Sequence, residues 1–252
     1  MRGFTVMVRK ELREQWRTAR LPVVAIIFLI FGLMSPLLAK YMPDLIKSFA
    51  GEIQMVIPKP TTKDAIAQLL KNLGQFGPLT GILLAMGMVA GEKERRTAVV
   101  VLTKPVTRQA FLAAKLVALL ATLGSGVVLA GIACYIYTAL LFEVLPVGGF
   151  IASCLLLLLA VLVYAVLTLL GSTLVSSSLP AAGLGLAGLM AVSLIGAIPG
   201  LSRFMPGSLY EAAQSLALGQ QPTELMVPLL SNLALVALAM FLAWFFFRRQ
   251  EL

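Results

Sequence analysis

The sequence predicts an all-α integral membrane protein: six membrane-spanning helices, an N-terminal amphipathic helix in the membrane interface, and a short helix lying along one membrane face between the second and third spans. Three observations predict it. Of 252 residues, 60% are hydrophobic and 12% charged, about half the charged share of a soluble domain. Mean hydropathy is +0.96, an apolar excess that needs lipid as its solvent. The charges are bunched at the ends of long uncharged runs, as they are beside membrane spans. The whole chain, 1–252, reads as one membrane domain.

Residues 3–20 form the amphipathic helix. At 100° per residue Phe4, Val8, Leu12 and Trp16 share one arc, with Met7 beside it, and Arg2, Arg9, Arg13, Arg17 and Arg20 gather opposite. Such a helix lies in the interface with its apolar side down. Val6 and Glu11 fall on the wrong faces. The charged stretch and the apolar run after it are too long for a secretory signal.

The first span is 21–39, with Pro22 suited to a helix start and Pro36 set to kink its outer end. A polar excursion, 40–71, is divided by Pro43, Pro58 and Pro60. Within it Thr61 or Thr62 can cap a helix with Asp64 in its first turn, and Ile66, Leu69, Leu70 and Leu73 follow at helical spacing into the second span, 73–91. Gly77/Gly81 and Gly87/Gly91 are GxxxG pairs, which allow close helix approach. The third span is 112–142, uncharged from Leu116 onward. Residues 144–202 carry no charge, a length that suits two crossings. The turn cluster at Ser176–Pro180 divides them into spans 149–175 and 180–199, the latter with Gly183, Gly185, Gly188 and Gly196 as a small-residue packing face. In the next excursion Ser208 and Glu211 suggest a capping box and Gly219 a helix stop. The sixth span, 225–247, ends in aromatic residues followed by Arg248 and Arg249.

Of the twenty Lys and Arg, six lie before the first span, six in the 91–115 segment and two at the C-terminus, all on one face of a six-span chain. The positive-inside rule makes that face cytoplasmic, with both termini and the 91–115 segment inside. The net charge of +9 therefore reports orientation, not nucleic-acid binding.

The sequence offers no motor and no catalyst. The phosphate loop G-x-x-x-x-G-K-[ST] is absent, and no soluble stretch is long enough for an ATPase domain. There is no histidine and there are two cysteines, Cys134 and Cys154, so the usual ligand counts leave no metal cluster. Thr122, Ser125, Thr168, Ser172 and Thr173 lie in the spans without a base beside them, and the ordinary role of such hydroxyls is to bond backbone carbonyls or neighbouring helices. Charges at mid-span, the mark of ion-coupled carriers, are missing; each would cost about 2.5–3.5 kcal/mol to insert. What remains is Gly91–Lys115, a charged segment with an apolar middle, Ala98–Leu102. Glu92 and Glu94 suit a helix N-terminus, Pro105 ends the helix, and Thr107 can cap the third span. The alternative is a loop that only obeys the positive-inside rule.

The run Gly91-Glu92-Lys93-Glu94-Arg95-Arg96-Thr97, then Leu102, Lys104-Pro105-Val106-Thr107-Arg108 and Lys115, resembles the signature after the second span of ABC-2-type permeases, the membrane subunits of bacterial ABC exporters. Arg9-Lys10-Glu11-Leu12 before the first span and the six-span layout are similar too. That family often has glycine before the threonine, where this chain has Arg96. The resemblance implies a coupling helix at about 92–103 that docks on a separately encoded ATP-binding subunit, through Glu92, Lys93, Glu94, Arg95, Arg96, Thr97, Val101, Leu102, Pro105 and Arg108. It implies an interfacial helix, with Arg9, Lys10, Leu12, Arg13 and Trp16, framing that site. It further implies a second permease subunit, identical or not, in a bacterial plasma membrane, and no cofactor in this chain, ATP and Mg belonging to the partner. The competing readings are a non-transporting scaffold or assembly factor and a secondary carrier.

Overall fold

The computed structural model describes residues 2–50, 59–96 and 107–250, with the backbone alone for residues 2 and 44–50. Among them every regular element is helical. α1 (Arg2–Arg17) and α2 (Arg20–Ala50) are followed by α3 (Thr62–Ala85), α4 (Ala90–Glu94), α5 (Arg108–Leu141), α6 (Val147–Leu174) and α7 (Ser178–Gly196). A 3₁₀ turn at Ser202–Phe204 leads to α8 (Pro206–Ala217) and α9 (Met226–Arg248). Six stretches are long and apolar enough to cross a membrane: Arg20–Pro43, Thr62–Glu94, Arg108–Leu141, Val147–Leu174, Ser178–Gly196 and Met226–Arg248. The chain is a multi-pass membrane protein.

The helices outrun the uncharged stretches. α2 passes through Pro36 and Pro43 instead of stopping near residue 39, and α5 begins at Arg108. A helix saturates its own backbone bonds in lipid and in the interface alike, so the edge of the hydrocarbon does not end it. Thr61 is the cap of α3: its N–H and hydroxyl both donate to Asp64 Oδ2, at 2.8 and 2.7 Å. Thr107 caps α5, its hydroxyl accepting from the Ala110 N–H at 3.2 Å.

The core sits between α2, α3, α5 and α6. α2 crosses α5 where a Cβ on Gly32 would overlap the Ala130 carbonyl, and where Gly126 lies against Phe28 and Val24. α3 crosses α6 at Gly77 and Gly81, which face Val161 and Ala165. The first GxxxG pair thus does what such pairs do; the second, Gly87 and Gly91, faces the Ser178 hydroxyl and, at Gly87, the Arg20 guanidinium. The expected glycine face of α7 is corrected. Gly185 alone is tightly packed, on Thr168 and Ile82, while Gly183 meets nothing and Gly188 barely touches Leu167.

At the far end from the charged segment, α8 packs on α6. Ser208 is not its cap. Pro206 takes the first helical position, Met205 precedes it, and the Ser208 hydroxyl donates to the Met205 carbonyl at 2.7 Å. Proline suits that position because its missing N–H would be unpaired anyway. Gly219 is the predicted stop, at φ +72°. Its N–H bonds the Leu216 carbonyl, and the Gln220 N–H the Ser215 carbonyl, the two bonds of a Schellman ending.

Candidate functional site

The described ends of the 91–115 segment, 91–96 and 107–115, are held to the bundle through one polar junction. Its first strut is a break in the second span. α3 stops at Ala85 and α4 starts at Ala90, so the break at 86–89 falls two to five residues before the bend expected at Gly91. The cause is Ser172 on α6. Its hydroxyl donates to the Met86 carbonyl at 2.7 Å and accepts the N–H groups of Ala90 at 2.9 Å and Val89 at 3.2 Å. The Ala90-to-Met86 bond is the one a straight helix would make; a foreign hydroxyl has been inserted into it, one of the known causes of a kink. One donor and two acceptors are the full capacity of a serine hydroxyl.

Beyond the break, α4 carries Glu92 into a buried charge cluster. Lys115, on the second turn of α5, is 1% exposed, Glu11 on α1 3% and Glu92 8%. Lys115 Nζ lies 3.2 Å from Glu11 Oε1 and 3.0 Å from Glu92 Oε1. Lys10 closes the cluster, 2.6 Å from Glu92, 3.1 Å from Glu11 and 3.3 Å from Glu14. Charges this deep are tolerated only when paired. Burial works against the Lys10 ammonium, but the carboxylates of Glu11 and Glu92 override it and hold its pKa above the ordinary lysine value. Glu11, Glu14 and Glu92 lie close enough to suggest a metal site; the two ammonium groups among them already supply the positive charge.

The helical wheel of α1 is corrected by the same cluster. The face turned to the protein is Met7, Glu11 and Gln15, with Val8 and Leu12 partly covered, whereas Trp16 is 65% exposed and Phe4 is exposed beside it. Glu11 is therefore on the inner face, where Lys115 requires it, and the outward aromatic residues suit the membrane interface. Arg9 and Arg13 are exposed. α1 ends one turn early, at Arg17, and Ala19 at φ +57° turns the chain into α2.

The remaining predicted residues fall in three groups. Lys93 donates to the Thr173 carbonyl and to Gln250 Oε1, both at 2.6 Å. Glu94 accepts from the Ser178 N–H and hydroxyl at 3.3 and 3.4 Å. Arg108 donates to the carbonyls of Phe247, Arg248 and Gln250 at 2.6–3.0 Å, closing the end of α9. Between them Phe247 is fully buried and stacks on Phe111, ring centroids 5.4 Å apart. Arg95 and Arg96 are exposed, and Arg96 has φ +56°, in the left-handed region where glycine is at ease. Thr97, Val101, Leu102, Pro105 and the rest of the coupling helix expected at 92–103 lie outside the described residues. Lys115 was legible as a charge at the edge of the third span but not as a buried one. Ser172 was legible as a hydroxyl that bonds backbone or a neighbouring helix, but not as the cause of a break in the second span.

A family model described as ABC-2 family transporter protein matches residues 5–252 of this chain. The chain is also similar to a protein of Bacillus subtilis (strain 168) described as an uncharacterized transmembrane protein, YxlG. The two are 27% identical over 258 residues, an alignment covering 100% of this chain and 99% of that protein.

Proposed function

Since the chain belongs to the ABC-2 family of transporter proteins, a membrane component of transport, we propose that it is the permease subunit of an ATP-driven bacterial exporter. A separate ATP-binding subunit docks on the coupling segment around 92–108 and supplies the ATP and Mg. A second permease subunit completes the assembly, and both termini and the segment lie in the cytoplasm. The observation that supports this reading is that the residues on either side of 97–106 are anchored in buried and half-buried polar contacts. On one side these run through Ser172, Glu92 and Lys93 to α6, α1 and α5. On the other they run through Arg108 and Lys115 to α9, α1 and α4. Paired charges and saturated hydroxyls make stiff struts, so a displacement of the segment is passed to several helices at once.

The test is co-purification with the ATPase encoded beside it. The complex is expected to form, and Val101→Glu or Leu102→Glu to abolish it together with ATP-dependent transport. Failure of both, or gradient-driven flux by this chain alone, overturns the proposal in favour of a scaffold or a secondary carrier.

A further inference from the structure

A cleft of about 470 Å³ opens beside the charge cluster, at the level where α1 turns into α2. That volume is in the usual range for a small-molecule site. Among the described residues three cations, Lys10, Arg20 and Arg95, and three carboxylates, Glu14, Glu92 and Glu94, line it, so the formal charge of that described lining balances. Its floor is glycine. Gly87 and Gly91 present no side chain, and a Cβ on Gly87 would lie 3.6 Å from Arg20 Nη2. Lys10 is engaged with Glu92 and Glu14, and Glu94 accepts from Ser178 through Oε2. Arg20 makes no hydrogen bond or ion pair among the described residues, although it is half-buried.

Among the described residues α2 packs on α5, α3 and α1, and α7 on α6, with lesser contacts to α3, α4 and α8; α2 and α7 do not pack on each other. α3 forms the bottom of the gap between them. Phe76 stacks on Phe31 of α2, centroids 4.7 Å apart, and Ile82 touches Gly185 of α7. Leu79 and Leu83, 39% and 62% exposed, lie between these contacts on the strip of α3 that leads to Gly87. The polar cleft thus lies one helical turn from an exposed apolar strip of α3, in the groove between α2 and α7.

We propose that this combined site holds a zwitterionic phospholipid with an ammonium headgroup, from the leaflet on the N-terminal side. Arg20 takes the phosphate, Glu14 and Glu94 the ammonium, and an acyl chain lies over Leu79 and Leu83. Balanced lining charge selects against an anionic lipid, and the groove selects a lipid over a free headgroup compound. The inference needs only a membrane-embedded chain, so it stands or falls apart from the ATP-driven reading.

The full-length protein, delipidated in detergent, is given phosphatidylethanolamine or phosphatidylglycerol in mixed micelles, and retained lipid is read by native mass spectrometry. Phosphatidylethanolamine should be retained preferentially. Arg20→Gln and Gly87→Leu should each weaken retention about tenfold, the scale of one charge-assisted contact. Arg20→Lys should retain part of it, and Arg203→Gln, at the other end of the molecule, should change nothing. Because Gly87→Leu could misfold, Arg20→Gln carries the test. Equal retention of both lipids, or retention untouched by Arg20→Gln, overturns the proposal. So does competition by glycerophosphoethanolamine as strong as by the lipid, or disulfide capture between two chains carrying Ile26→Cys and Leu83→Cys, which would put a second copy in the groove.

Discussion

Replacing Lys115 with methionine tests the charge cluster most directly. The substitution keeps the length of the side chain and removes the ammonium that lies 3.2 Å from Glu11 and 3.0 Å from Glu92. Breaking a buried pair by removing one partner costs about 3–5 kcal/mol, because the other charge stays buried. Here Lys10 still reaches both carboxylates, at 3.1 and 2.6 Å, so the lower end applies, about 3 kcal/mol. For a chain of this length that is a fall in Tm of roughly 6–12 °C. Glu92→Gln in the same chain removes one stranded carboxylate and should return about half of the loss, a coupling of the size seen between groups in contact. The assay is thermal unfolding in nanodiscs, followed by scanning fluorimetry for Lys115→Met, Glu92→Gln and the double variant. If Lys115→Met melts with the parent, or if the double variant loses the sum of the two single losses, the cluster is not a buried ion network and the argument fails.

In the bent shape Ser172→Ala strands the Met86 carbonyl and the Val89 and Ala90 amides, at a cost of at most about 2–3 kcal/mol. Hydrogen exchange at those two amides should quicken, whereas Ser125→Ala, which removes only a bond to its own helix, should leave them unchanged; equal effects would discredit the inserted hydroxyl. Arg96→Gly relieves a left-handed residue at φ +56° and should raise stability by about 1 kcal/mol, so a lower Tm would count against that backbone geometry. Lys10 has its pKa raised above the usual 10.5, so what it contributes is complete below that value and is lost only as pH climbs past it. Lys10→Gln should therefore cost the same Tm at pH 6 as at pH 9, and a loss that fades over that interval would contradict the pairing.

Six spans were legible because lipid leaves a chain few options: long uncharged runs must be helices. Their ends were less legible, since α2 and α5 keep their own hydrogen bonds beyond the apolar edge. The Thr61 and Thr107 caps and the Gly219 stop could be read because each involves residues only a few positions apart. Glu11 looked misplaced on its helix because the residue that justifies it, Lys115, is 104 positions away, beyond the reach of any helical wheel. Ser172 is separated from the break it causes by 82 positions. Gly32 and Gly126 belong to no GxxxG pair, yet they make the closer crossing. The glycines of α7 misled for the opposite reason: spacing shows that a helix can be approached, not that a neighbour arrives.

A single oxygen decides how the second crossing is threaded. Pulled straight, residues 86–90 would close their own ladder, and the freed serine could turn back to the Thr168 carbonyl one turn behind it. Bent, they lean on that serine. Both shapes pair the Met86 carbonyl and the Val89 and Ala90 amides, so at those groups the two conformers differ in direction without the solvation penalty that normally locks a membrane helix. This is where the chain can flex like a wrist, and amide exchange at Val89 and Ala90 that stays constant through the transport cycle would show that it does not.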